Sequence, residues 1–145
     1  MMAGERSYAK LGATRTSLQQ AANDRLLDAE ALLQAGRFAS AIAEGLYALE
    51  ITLKVLICKR LDLQHLPKAF EVHDFAGLLV LSGFSRQMQG EVKLNWDEIT
   101  READWHINAL RYTSPSNLDQ SFTTDFLARL RTPPHGVIPW LETLL

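Results

Sequence analysis

The sequence predicts an all-α protein, a single-domain bundle of about five or six helices around an antiparallel central helix pair. Three observations predict it. Apolar residues recur at helical spacing through most of the chain. Gly and Pro punctuate these runs at intervals that suit helix ends. No segment shows the alternation of a half-buried strand. The 145 residues favour one domain with a sizeable core.

The central element is expected between Gly36 and Leu63, a stretch without Pro. Ile42, Leu46, Leu49, Leu53, Leu56 and Ile57 share one face. Tyr47, Ile51, Val55 and Cys58 share the opposite one. A helix apolar on two faces belongs inside a bundle. Glu50 and Lys54 lie on the seam between those faces, four residues apart with the acid first, which suits pairing along a helix. Two readings stay open for them. They form a structural ion pair with snorkelling stems, or they hold and orient a functional group.

Around this element the chain reads in order. Residues 1–13 are polar and aperiodic and are expected to be a flexible N-terminus; residues 14–145 form the bundle domain. Thr16 or Ser17 can cap a first helix, with Gln19 or Gln20 completing a capping box. Leu18, Ala22, Leu26, Ala29 and Leu33 give that helix its inner face. Gly36 stops it and turns the chain into the central helix, making a helical hairpin. Pro67 interrupts the pattern, so Gln64 to Val72 is a connection with room for a short helical turn. Asp74 is placed to cap a short helix that ends at Gly83. Ser85 to Leu94 reads as an amphipathic helix. Asn95 or Asp97 then starts another, carrying Trp96, Ile99, Ala103, Trp105 and Ile107. After the loop Thr113 to Asn117, a helix runs from about Asp119 to Arg131 with Phe122, Phe126, Leu127 and Leu130 apolar. Thr132-Pro-Pro-His-Gly136 separates it from a final helix, Val137 to Leu145, with Pro139 near its first turn.

Charge and composition narrow the function. The formal net charge is −2, which supplies no global basic field for nucleic acid. The single cysteine, Cys58, cannot form an internal disulfide. The first ten residues are no signal peptide, and no run approaches a membrane span. A cytoplasmic protein is expected. Nothing in the sequence asks for a cofactor. Cys58, Asp62 and His65, at i, i+4 and i+7 of a helix, form a nominal metal-binding set, but they read better as a core thiol beside a fraying helix end.

Several of these residues resemble a known family. Arg37-Phe38, Ala41-Ile42, the string Tyr47-Ala48-Leu49-Glu50-Ile51-Thr52-Leu53-Lys54, and Ile57-Cys58 are similar to the second helix of HEPN domains. His73-Asp74 opening a short helix, a Trp-containing stretch and Arg111-Tyr112 follow in the order of that family. The resemblance covers about Thr16 to Leu145, with Pro-Pro-His-Gly as an elaboration of the last helix. It implies a dimerising α-helical bundle found beside minimal nucleotidyltransferases, in toxin–antitoxin pairs and in RNA-cleaving defence proteins. Nuclease members carry an Arg with a His four to six residues on. Arg111 matches that Arg, but Ser116, Asn117 and Leu118 stand where the His belongs. Arg60–His65, Arg101–His106 and Arg129–His135 have similar spacing. The first falls on the wrong helix. The last contains Pro-Pro and comes too late, which leaves Arg101–His106 as the nearest substitute.

The resulting expectation is a non-catalytic binding or regulatory module. It would act as a homodimer or with a nucleotidyltransferase-type partner. The alternatives are an RNA-cleaving enzyme using Arg111 with an unusual base, and nucleotide or RNA binding at a groove of Lys54, His73 and Arg111. Glu50, Lys54, His73, Asp74, Arg111 and Tyr112 are expected to converge, as a polar pocket or as a buried network that fixes helix register. Excess apolar surface on the central helix and on the helix after Arg111 is expected to drive self-association.

Overall fold

A computed structural model describes residues 14–106 and 118–145. They form an all-α bundle of six helices: α1 (Arg15–Gln34), α2 (Phe38–Arg60), α3 (Phe75–Ser82), α4 (Gly90–His106), α5 (Gln120–Arg131) and α6 (Val137–Glu142). A 3₁₀ turn, Lys68–Phe70, lies in the connection before α3. No helix among the described residues is long and apolar enough to cross a membrane.

The α1–α2 hairpin is built as its sequence dictates. Leu18, Ala22, Ala29 and Leu33 are buried on α1. Gly36, at φ +74°, follows the helix end. The amide of Gly36 donates to Leu33 O and that of Arg37 to Leu32 O, the paired bonds of a Schellman motif. The N-cap is Thr14 rather than Thr16 or Ser17: its Oγ1 accepts from the Ser17 amide at 3.1 Å. Residues 14–15 pair with 64–65 ahead of the helix, which moves its start upstream. The end of α2 repeats the Schellman pattern, with Asp62 at φ +53° in the position that usually falls to glycine.

Helix α2 is the bundle axis. Ile42, Leu46, Leu49, Leu53, Leu56 and Ile57 are all buried. The opposite face is covered only toward its end. There Val55 and Cys58 join Leu18 and Leu66 in a second, smaller core. Ile51 is half-buried and Tyr47 is 37% exposed. Gly45 lets α5 approach closely: a Cβ there would stand 2.9 Å from Leu127 Cδ2 and from Leu130 Cδ1.

Helix α3 runs parallel to α2. Its start is tied to the middle of α2 by His73, and its end to the last turn of α2 by Arg60. The Arg60 Nη1 donates to Leu81 O at 2.9 Å, answering a carbonyl that the short helix leaves unpaired. Gly83, at φ +87°, then ends α3 as expected.

The region after α3 differs from the sequence reading. Residues 84–89 are non-helical, with a turn at 85–87, and one continuous helix begins at Gly90. Asn95 and Asp97 therefore lie inside α4 and cap nothing. The reason is the buried series Met88, Val92, Trp96 and Ile99, whose helical spacing starts before Asn95 and fixes the register. Asp119 caps α5, its Oδ1 accepting from the Phe122 amide at 2.6 Å. In α5, Phe126, Leu127 and Leu130 are buried, whereas Phe122 is 37% exposed.

Candidate functional site

Two polar clusters stand out among the described residues. The first joins α2 to the start of α3. Glu50 and Lys54 are side by side on α2, only 8% and 6% exposed. The Lys54 Nζ donates to Glu50 Oε2 at 3.3 Å. The other carboxylate oxygen, Oε1, lies 2.7 Å from His73 Nδ1. A buried carboxylate needs such partners, because an unmatched charge in the interior is costly. The imidazole is held at one nitrogen while its side chain remains 77% exposed. Glu50, Lys54 and His73 are thus brought together. Asp74 occupies the N-cap position of α3 but accepts no capping bond. Its carboxyl lies over Gly77, with Oδ2 2.8 Å from where a Cβ would be. Arg111 and Tyr112 lie outside the described residues. Lys54 is buried against Glu50, so His73 is the exposed member of the three described residues.

The second cluster lies where α4, α5 and the turn before α6 meet. The Arg129 guanidinium is held from two sides: Nε donates to Asp125 Oδ2 at 3.1 Å, and Nη1 to Asn95 Oδ1 at 3.0 Å. Asn95 Nδ2 donates in turn to His135 O at 2.9 Å, which pins the Pro-Pro turn to α4. The His135 ring approaches Glu91, with Nε2 3.4 Å from Oε2. Asn95, Arg129, Pro133, Pro134 and His135 line an open groove of about 320 Å³. Arg129 meets Asp125 and the His135 ring meets Glu91, so each basic side chain of the groove has a carboxylate beside it.

Sequence reasoning singled out the first cluster and missed the second. By sequence Asn95 reads as a helix cap, and Pro-Pro argues against the Arg129–His135 spacing. That turn is what folds His135 back beside Arg129. The helical face proposed for Cys58, Asp62 and His65 does not form: α2 ends at Arg60, and Asp62 turns left-handed. Cys58 is fully buried, and burial pushes its thiol pKa up, against a smaller lowering by Arg15. Among the described residues, no three His, Cys, Asp or Glu side chains group as metal ligands would. Of the other Arg–His spacings, Arg60 is committed to the end of α3, and Arg101 pairs with Glu98.

Comparison with known proteins finds no matching family model, no matching curated sequence and no matching solved structure.

Proposed function

We propose that this chain is a non-catalytic, HEPN-like binding and regulatory module. It acts as a homodimer or beside a nucleotidyltransferase-type partner, in a toxin–antitoxin or defence setting. One observation carries the non-catalytic part of this reading. The lysine and the carboxylate that the sequence marks on α2 are spent on each other in a buried pair. A lysine fixed in this way is no free nucleophile, and both oxygens of the carboxylate are already engaged, one by Lys54 and one by His73. What this cluster supplies is a fixed surface, with His73 as its exposed member. The test is incubation of the purified protein with a structured RNA. No cleavage is expected that Arg111→Ala or His73→Ala alters. Cleavage abolished by both substitutions would overturn the reading.

A second reading rests on the other cluster. Arg129 and His135 line one groove, and Glu91 stands against the imidazole. Arginine can stabilise charge on a phosphate, and a carboxylate-oriented histidine can move a proton near neutral pH. An RNA-cleaving activity would then belong to this groove rather than to Arg111. Loss of cleavage in His135→Ala, with Arg111→Ala unaffected, would establish it. No cleavage by wild type removes it.

A further inference from the structure

Among the described helices, α3 is the one without a charged residue, reading Phe-Ala-Gly-Leu-Leu-Val-Leu-Ser. Its inner face, Phe75, Leu78, Leu79 and Ser82, is buried against the bundle. Its outer face offers Ala76 and Val80 to solvent, with Val80 63% exposed. Val72, immediately before the helix, is 40% exposed. Single exposed apolar residues are ordinary. What distinguishes this face is the order of charges along it.

The N-terminal end of α3 is flanked by exposed Glu71 and Asp74, offset in part by Lys68. The C-terminal end is flanked by Arg60, lying on the last carbonyls, and by exposed Arg86, offset in part by Asp62 just past the end of α2. No acidic residue lies between Gly83 and Gly90. The face is therefore acidic at one end, apolar in the middle and basic at the other. Such a surface is complementary to itself after a half-turn about an axis across its centre. The rotation lays α3 antiparallel on its copy, puts Ala76 and Val80 together, and sets each acidic end against a basic end twice over. An isologous contact needs this self-complementarity, and opposed charges across it fix register as well as partner.

We infer that a second copy of this chain docks on α3, two-fold and antiparallel, with Val80 near the axis. The inference rests on the homodimeric form of the proposed function and names its surface. That surface differs from the one anticipated on the central helix and on α5, whose apolar residues are mostly used inside the bundle.

The experiment is sedimentation or light scattering of the full chain across micromolar concentrations. Wild type is expected at dimer mass. Val80→Glu should weaken association at least tenfold while circular dichroism keeps the helical signal, since the side chain is solvent-facing. Leu94→Glu, at an equally exposed apolar position on α4, should leave the dimer intact. Arg86→Glu should weaken the dimer, and adding Glu71→Arg should restore it, because only a contact that joins the two ends of α3 couples those charges. A dimer that persists in Val80→Glu, or that fails in Leu94→Glu, overturns the α3 contact and leaves dimerisation standing. A wild-type monomer overturns the α3 contact too, while a module that works with a different partner survives.

Discussion

The two polar clusters are built from the same kinds of group and placed under opposite conditions. Glu50, Lys54 and His73 gather where α2 is covered by α3, and two of the three are removed from water. Glu91, Asn95, Asp125, Arg129 and His135 gather on the rim, where α4, α5 and a turn meet in the open. In the first, a missing partner leaves a charge without water or counter-charge. In the second, water replaces whatever is lost. The same 3 Å contact therefore carries different weight in the two places. Buried contacts hold the fold together, whereas exposed ones can be rearranged around a ligand.

Breaking the buried cluster should give the largest effect. Glu50→Ala leaves the Lys54 ammonium buried and unmatched, and about 3–5 kcal/mol of stability should be lost in urea unfolding. The double variant Glu50→Leu/Lys54→Met should recover most of that loss, because apolar replacement of both members removes the unmatched charge. If Glu50→Ala costs no more than a surface substitution, the contrast between the clusters fails.

Asn95→Ala should come next. It removes the side chain that links Arg129 to the backbone of His135, two bonds worth together about 1–2 kcal/mol. The turn 132–136 should then show faster amide hydrogen exchange while the α1–α2 hairpin keeps its protection.

His73→Ala and Asp125→Ala sharpen the comparison from the weak side. His73 gives one bond to a carboxylate that keeps its lysine, so about 1 kcal/mol is expected. Asp125–Arg129 is an exposed pair four residues apart, and Asp125→Ala should stay within about 0.5 kcal/mol, less at high salt.

Cys58, two turns beyond Glu50 on α2, extends the contrast to a neutral group. Its raised pKa means that the folded state holds the thiol proton more tightly than the unfolded chain does. The contribution is complete below the ordinary thiol range and fades as pH rises through it toward the folded value. Labelling by a thiol reagent at pH 8 should be slow in native protein and immediate in urea.

Much of the fold was legible because one physical signal, apolar spacing, decides it. The inner faces of α1, α2 and α5 follow from residues such as Leu18, Leu49 and Leu127 alone. The start of α4 was not legible: a plausible cap at Asn95 competed with the Met88–Val92–Trp96 series, and packing prevailed over the cap. The candidate sites divide in the same way. Glu50 and Lys54 are local to one helix, so their pairing could be read from spacing. His73 meets them across 23 residues, and Asn95 meets Arg129 across 34. Such meetings depend on the crossing of helices, which no local pattern encodes.

The parallel course of α3 along α2 has a further electrostatic consequence. Ten residues of α2 separate Glu50 from Arg60, about 15 Å of helix, and α3 fits beside that span in the same direction. The peptide dipoles of the two helices therefore add rather than cancel, and their negative poles meet at one end. Lys59 and Arg60 stand at that pole, with Arg60 touching carbonyls of α3, while Glu50 and Asp74 lie at the positive start of α3. Arg60→Ala would leave two aligned negative poles side by side. The last turn of α3 should then fray first, seen as early amide exchange at Leu81 and Ser82, while the turn beside His73 stays protected.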